Sequence, residues 1–315
     1  GKKSKKKGKG KAAGVDTSGD APVVHPETEH SSDGEVLLDV DGLVVGYDQP
    51  DGTLTQVVNG VSLKVRRGEV HGLIGESGSG KTQTAFSILG LLPEGGRVAA
   101  GSIVFEGEQL TAKGAKAMRK IQGAKISYVP QEPMSNLDPS FTIGSQLVEP
   151  MREALGISAA EAKERALDLL KKVGLPDPAK TFRSYPHEVS GGQAQRVLIA
   201  GAISCEPDLI IADEPTTALD VTVQAEILDL LRGLQKELNI AVLIVTHNFG
   251  VVADLCDRVS VMQKGRIVET GPARSIFAGP QHPYTQSLFD AILEDGAARG
   301  PLAHASDRHT AGGAK

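Results

Sequence analysis

The chain has 315 residues, enough for a large core, and that core must be aliphatic because only 3% of the residues are aromatic and none is tryptophan. The longest apolar runs, at 209–212 and 241–245, have the length of strands. A membrane-spanning helix needs about 20 apolar residues, so none is predicted.

The formal net charge of −5 is unevenly distributed. Seven lysines lie among the first eleven residues, and removing their charge from −5 leaves −12 on the rest of the chain. An acidic body disfavours a nucleic-acid partner. Residues 1–34 have few apolar side chains and are predicted to be a disordered Lys-rich tail, which either solubilises the chain or attracts it weakly to an anionic membrane. Because the start lacks the apolar region of a signal peptide, a cytosolic location is expected.

Short apolar stretches alternate with Gly and Asp turns over residues 35–70, which predicts an antiparallel meander. Tyr47 lies within it. A tyrosine there either stacks on a purine ring or serves as a core or edge aromatic residue, and the phosphate-binding loop that follows favours stacking.

A glycine-rich loop follows the predicted buried strand Val70–Ile74 and leads into a predicted helix over 83–92. The loop matches the pattern G-x-x-x-x-G-K-[ST], whose backbone N–H groups surround a polyphosphate in this strand–loop–helix setting. A chance glycine-rich turn is the alternative, and the flanking elements disfavour it. Lys81 is expected to contact the β- and γ-phosphates, and the Thr82 hydroxyl to bind Mg²⁺. The predicted nucleotide ligands of the loop are Gly75, Ser77, Gly78, Ser79, Gly80, Lys81 and Thr82.

The next segment predicts a strand near 103–105, a short helix over 113–122, and a strand at Ile126–Val129. Gln131 follows this last strand, where ligands bind in open α/β sheets. From about 133 to 190 the periodicity is helical, most clearly at 143–155 and 159–173, and strand signals are missing. We therefore predict an inserted helical subdomain.

The run Ser190-Gly191-Gly192-Gln193 precedes an amphipathic helix predicted over 194–204. Ser at an N-cap followed by two glycines makes a second phosphate-binding helix N-terminus. Since one nucleotide needs only one such site, this second site is expected to complete the nucleotide pocket of another subunit.

A predicted buried strand starting at Leu209 ends in the adjacent carboxylates Asp213 and Glu214. Asp213 suits the Mg²⁺ shell and Glu214 the attacking water, although an acidic turn is the plainer alternative. After the loop 217–220 and a helix over 223–238, a further buried strand ends at His247. This histidine is either structural or in contact with the γ-phosphate, and the neighbouring Asp213 strand favours contact.

The remaining features are local. Cys205 and Cys256 lack metal-site spacing and are predicted to be buried reduced thiols. A hairpin is predicted across Lys264-Gly265, a helix through Leu293, and a disordered tail over 296–315.

Taken in order, these motifs resemble the ATP-binding cassette of ABC transporters, with Asp220 as a further element of the pattern. The resemblance covers residues 36–269. It implies an α/β P-loop NTPase (RecA-like) core with an N-terminal antiparallel β subdomain and an inserted helical subdomain, together spanning 35–279.

A narrower resemblance, to ATPase subunits of bacterial dipeptide, oligopeptide and nickel importers, rests on four further runs. It implies two cassettes, often non-identical, at the cytoplasmic face of the membrane beneath two permeases that an extracytoplasmic binding protein supplies. The chain departs from this group in two places. Asn248 stands where the group usually has Asp after the His. The segment 296–315 contains no Cys, so the iron–sulfur cluster of some relatives is not expected here. The runs are 131–139, 185–188, 218–224 and the His282-Pro283-Tyr284 that opens an extension over 280–295.

The resemblance also implies roles for single residues. Lys81, Thr82, Asp213 and Gln131 would hold the phosphates and Mg²⁺, Glu214 would polarise the water, and His247 would steady the γ-phosphate. Ser190 and Gly192, with Gly191 and Gln193 beside them, would cap the ATP of the partner cassette.

Three alternatives differ in class. A soluble cassette ATPase acting on nucleic acid or ribosomes is disfavoured by the acidic body and the single cassette. A GTPase or kinase is disfavoured because an Asn-Lys-x-Asp run is missing. An inactive regulatory subunit is disfavoured by intact Lys81, Glu214 and His247. The solute is not encoded in this chain, and the resemblance favours import of di- or oligopeptides over nickel or another small solute because peptide importers are the common members of the family.

Overall fold

The computed structural model describes residues 19–26, 34–217 and 219–299. Within these ranges the strands form two sheets. The smaller sheet is antiparallel, with the order β3-β2-β5-β6, and confirms the predicted N-terminal β subdomain. Its strands are β2 (Val36–Asp48), β3 (Leu54–Arg66), β5 (Gly96–Phe105) and β6 (Glu108–Gln109).

The larger sheet has the order β1-β11-β10-β4-β9-β8-β7. Only β10 and β11 pair antiparallel among its described strands, as a hairpin, and the other neighbours are parallel. The strands are β1 (Val23–Val24), β4 (Val70–Ile74), β7 (Ile126–Val129), β8 (Leu209–Asp213), β9 (Ala241–Thr246), β10 (Arg258–Gln263) and β11 (Arg266–Pro272).

Helices connect these strands and form the inserted subdomain. They are α1 (Lys81–Leu89), α2 (Ala115–Ile121), α3 (Ile143–Leu155), α4 (Ala159–Lys172), α5 (Pro178–Arg183), α6 (Gly191–Ile203), α7 (Val221–Leu238), α8 (Phe249–Leu255), α9 (Ala273–Ala278) and α10 (Pro283–Arg299).

Strands β4, β8 and β9 are buried along their whole length, as expected for parallel strands covered on both faces. Their side chains alternate between two hydrophobic cores. On β9, Val242 and Ile244 enter the core shared with the helical subdomain, whereas Leu243 and Val245 enter the core beneath α1 and the small sheet. The larger sheet therefore packs against the helical subdomain on one face and against α1 and the β subdomain on the other.

The helical subdomain consists of α3, α4 and α5, each begun by a side-chain cap. Thr142, Ser158 and Asp177 accept hydrogen bonds from the backbone N–H three residues later. These caps explain why a short polar residue stands just before each of the three helices.

Several predicted boundaries were wrong. Residues 19–26, assigned to the disordered tail, contain β1, which pairs with β11 through Val23 and Val24. Strand β5 begins at Gly96, well before the predicted 103–105, because pairing with β2 outweighs the poor strand propensity of its glycines. The last helix continues to Arg299, so 296–299 are helical. The tail predictions for 1–18, 27–33 and 300–315 lie outside the described residues.

Both cysteines are buried and unpaired, as predicted. No helix in the described ranges is long and apolar enough to cross a membrane.

Candidate active site

The phosphate loop leaves the carboxyl end of β4 and turns into α1 at Lys81. Two of its positions have no room for a side chain, because backbone carbonyl oxygens of other strands lie too close. A Cβ atom at Gly75 would lie 2.2 Å from the carbonyl oxygen of Met262, and one at Gly80 would lie 2.8 Å from that of Val57. Gly80 also has φ 102°, a conformation that disfavours any residue with a side chain. The loop is thus pressed between β10 and β3.

Lys81 is only 6% exposed, and its ammonium curls back onto the loop. Nζ donates hydrogen bonds to the carbonyl oxygens of Gly75 (2.8 Å) and Glu76 (2.9 Å). Burial lowers the pKa of Lys81, and the nearby carboxylates of Glu214 and Asp213 partly oppose this shift. A phosphate group is the anion that this cationic centre can accept.

Oxygen ligands suited to a hard cation meet beside the loop. The Thr82 hydroxyl lies 3.4 Å from Asp213 Oδ1, and the Tyr128 hydroxyl lies 3.5 Å from Asp213 Oδ2. Burial, followed by repulsion from Glu214, raises the pKa of Asp213. A hydroxyl and a buried carboxylate fit Mg²⁺, which prefers oxygen ligands. Tyr128 was not predicted as a site residue. Its position on β7, the strand that pairs with β8, would have suggested that it lies near Asp213.

Glu214 is the centre of a hydrogen-bond network at the carboxyl ends of β8 and β9. Its Oε2 accepts bonds from the hydroxyls of Thr217 and Thr246, both at 3.1 Å. Its Oε1 accepts from the backbone N–H of His247 at 3.0 Å and lies 2.7 Å from His247 Nδ1. The two threonines were missed, since a single threonine hydroxyl has no distinctive sequence pattern.

A cavity of about 410 Å³ is lined by eight of the seventeen predicted site residues. Gln131, itself exposed, lines it from the loop after β7, together with Glu214 and His247. The described lining residues are Val57, Ser77, Gly78, Gly80, Lys81, Thr82, Gln83, Gln131, Glu214 and His247.

The run 190–193 lies elsewhere and does not line this cavity among the described residues. Ser190 and Gln193 form a reciprocal capping box: Ser190 Oγ accepts the Gln193 N–H, and Gln193 Oε1 accepts the Ser190 N–H. Helix α6 therefore begins at Gly191, earlier than predicted. A Cβ atom at Gly192 would lie 2.9 Å from Val223 of α7.

Two further predicted nucleotide ligands are engaged in structural bonds. Asp220 caps α7 by accepting the Val223 N–H at 2.9 Å. The Tyr47 hydroxyl donates to Gln83 Oε1 at 2.6 Å, and its ring lies against Gly96. Through Gln83, Tyr47 borders the cavity without lining it in the described structure.

Comparison with known proteins agrees with this arrangement. The family described as ABC transporter matches residues 58–217. The oligopeptide transport ATP-binding protein AmiE of Streptococcus pneumoniae is 47% identical over 85% of this chain and 75% of its own length. The dipeptide transport ATP-binding protein DppD of Escherichia coli is 45% identical over 82% of this chain and 79% of its own length.

Solved structures give the same result for the fold. A dimeric ATP-binding cassette in a post-hydrolysis state, bound to ADP and Pi, superposes with a TM-score of 0.68 and 28% identity, over 76% of this chain and 99% of its own. The predicted P-loop core with a β subdomain and a helical subdomain is therefore confirmed. With its matched domain, its close relatives and its fold in agreement, the chain belongs to the ABC transporter family as an ATP-binding subunit.

Proposed function

We propose that this ATPase powers the import of di- or oligopeptides through a membrane ABC transporter. The observation that carries the proposal is the cavity in which the phosphate loop, Glu214 and His247 converge. The peptide substrate is supported by relatives whose names specify oligopeptide or dipeptide transport and which share 45–47% identity with this chain.

The loop between β4 and α1 would bind the triphosphate of ATP. Its backbone N–H groups and the positive end of the α1 dipole face the phosphates, and Lys81 exchanges its bonds to the loop carbonyls for phosphate oxygens. Thr82, Asp213 and Gln131 would hold Mg²⁺. When bound, the ion neutralises negative charge on the β- and γ-phosphate oxygens. Tyr47, whose hydroxyl donates to Gln83 of α1, would contact the base.

Glu214 would orient and polarise the attacking water, and His247 would contact the γ-phosphate. The His247 side chain is 57% exposed, so it can turn from Glu214 Oε1 toward the phosphate. That turn frees an Oε1 lone pair for the water, while Thr246 and Thr217 keep Oε2 in place. Binding of the γ-phosphate and activation of the water are thereby linked.

Two cassettes would close head to tail, with the start of α6 capping the ATP bound by the partner. The N–H groups of Gly191 and Gly192 have no intrahelical acceptor because they lie in the first turn. Their separation from the cavity of their own chain supports a role on a partner's nucleotide. The first turn of α7, which Asp220 caps, lies beside this surface, since a Cβ atom at Gly192 would lie 2.9 Å from Val223.

The remaining subunits would be a second, paralogous cassette, two permeases, and an extracytoplasmic binding protein. The chain would then lie at the cytoplasmic face of the membrane. The test is to purify the complex through this subunit, identify its companions by mass spectrometry, and assay ATP hydrolysis with and without di- and oligopeptides. Permeases, a second cassette, and stimulation by peptide plus binding protein are expected. Stimulation by nickel alone, or companions from ribosomes or DNA without a permease, would contradict the proposal.

A further inference from the structure

We propose that Tyr284, in the extension after the ATPase core, is a positioning residue that fixes the phosphate loop and raises its affinity for nucleotide. Tyr284 lies in the first turn of α10, 208 residues from the loop residue that it contacts. The inference is independent of the transported solute.

The contact joins the tyrosine hydroxyl to the loop backbone. The N–H of Glu76 donates a hydrogen bond of 3.1 Å to Tyr284 Oη. Tyr284 is 8% exposed, so its ring is held by packing. The carbonyl oxygen of the same residue, Glu76, accepts the Lys81 ammonium. Glu76 is thus held on one side by Tyr284 and on the other by Lys81.

The two contacts respond differently to nucleotide. Lys81 lines the cavity. When its ammonium turns to a phosphate, it breaks the hydrogen bonds that it donates to the carbonyl oxygens of Gly75 and Glu76. Neither Glu76 nor Tyr284 is among the described lining residues, so phosphate does not compete for their bond. Tyr284 can therefore hold the start of the loop after Lys81 has turned away.

Tyr284 is itself fixed by a buried carboxylate. Glu269, which is 0% exposed, accepts hydrogen bonds from the backbone N–H groups of Gln281 (2.8 Å) and His282 (3.0 Å). His25, next to β1, lies 2.6 Å from the same carboxylate. The N–H of Tyr284 then donates to His282 Nδ1 at 3.1 Å. Glu269 on β11 thus connects the segment before the core, through His25, to the extension after it, through Gln281 and His282.

Ionisation of the Glu269 carboxylate keeps these hydrogen bonds in place. Burial alone would raise the pKa of the Glu269 carboxyl, but the hydrogen bonds donated to it outweigh that effect and the net shift is downward. The carboxylate stays ionised at neutral pH and keeps its donors.

The test is Tyr284→Phe in the full-length chain, which removes one oxygen and keeps the ring. We expect the Kd of a fluorescent ATP analogue in Mg²⁺ to rise about two- to tenfold, the loss of one net hydrogen bond. In the assembled transporter, KM for ATP should rise by the same factor while kcat stays within about twofold. The matched control is Ser287→Ala, which removes a hydroxyl that donates to the Tyr284 carbonyl on the same helix and does not touch the loop.

A second variant tests the anchor. Glu269→Ala should raise the Kd in the same direction, and adding Tyr284→Phe to it should have little further effect, because both act through one bond to Glu76. An unchanged Kd in Tyr284→Phe would overturn the proposal. So would a parallel loss of kcat and melting temperature at constant KM, since that is the signature of a merely structural contact.

Discussion

At the scale of single residues, Glu214 combines a strained backbone with a saturated carboxylate. Its φ of 47° is in the left-handed region that non-glycine residues avoid, at a cost on the order of 1 kcal/mol. The N–H of Glu214 donates to the Val245 carbonyl at 2.7 Å, which holds the residue in this conformation. Sheet pairing therefore supplies the stabilisation that keeps the carboxylate at the strand end.

Glu214→Gln is expected to lower ATP turnover at least about a hundredfold, because an amide cannot accept a proton from water. Nucleotide binding should stay near normal, since the amide retains one acceptor for His247 and the loop is untouched. Steady-state ATPase rates of the assembled complex and binding of an ATP analogue measure the two effects separately. Glu237→Gln, at an exposed pair with Lys172, serves as the control. Normal turnover in Glu214→Gln would remove Glu214 from its assigned role.

At the scale of elements, helix starts account for several residues that the family pattern assigns to nucleotide. Asp220 caps α7, and Ser190 caps α6. A side chain can cap its own helix and still present the first N–H groups of that helix to a partner's phosphate. The cap can therefore be tested apart from any role at the interface.

Asp220→Ala is expected to lower the free energy of unfolding by about 1 kcal/mol, because the Val223 N–H loses its acceptor. Asp220→Asn should keep most of the stability, since Asn caps helices about as well as Asp. Denaturant unfolding of the isolated chain measures both variants. Equal losses in the two would show that the charge, and not the cap, stabilises this helix.

The phosphate loop requires glycine at position 80. Gly80→Ala combines an unfavourable φ with a Cβ atom 2.8 Å from the Val57 carbonyl, and should cost about 2 to 4 kcal/mol and abolish ATP binding. Gly123→Ala is the matched control, because its φ is 77° and its Cβ atom meets nothing within 4 Å. That variant should cost about 1 to 2 kcal/mol and bind ATP normally. Equal effects in both would mean that steric contact at Gly80 is unimportant.

At the scale of the whole molecule, a buried acid lies at the amino ends of the parallel strands, whereas the active site lies at their carboxyl ends. Glu69 directly precedes β4 and is 7% exposed. Burial raises its pKa to about 7, although the Arg66 N–H and the charges of Arg258 and Arg66 oppose the shift. His71, completely buried on β4, has its pKa lowered to about 3 by burial and then by Arg258, so it stays neutral.

Glu69 should make stability depend on pH. Between its unfolded pKa of 4.5 and its folded pKa of about 7, the folded chain holds a proton that the unfolded chain has lost. The contribution is therefore fully present below pH 4.5, declines as pH rises to 7, and is lost above it.

Glu69→Gln lacks this titration and keeps an acceptor for the Arg66 N–H. Its stability relative to the parent chain should rise by about 2 kcal/mol between pH 5 and pH 8. Melting curves of both chains across that range measure the difference. Parallel curves would show that Glu69 titrates normally in the folded chain.

Local patterns were sufficient for the core of the fold and for most of the site. The strand, loop and helix at 70–89, the buried strands β8 and β9, and the polar residues at their ends were predicted because strand and helix periods are properties of neighbouring residues. The cap at Asp220 was not predicted, although an Asp just before an amphipathic helix is its usual sequence signal.

Contacts between distant segments required the tertiary structure. The pairing of Val23 and Val24 with β11, the bond from Glu76 to Tyr284, and the bond from Thr246 to Glu214 join segments whose separate sequences carry no sign of one another. Periodicity shows which face of an element is buried, but it does not show which partner covers that face. Local sequence patterns therefore placed the reactive residues at the strand ends, whereas packing of distant segments selects the side chains that hold those residues in position.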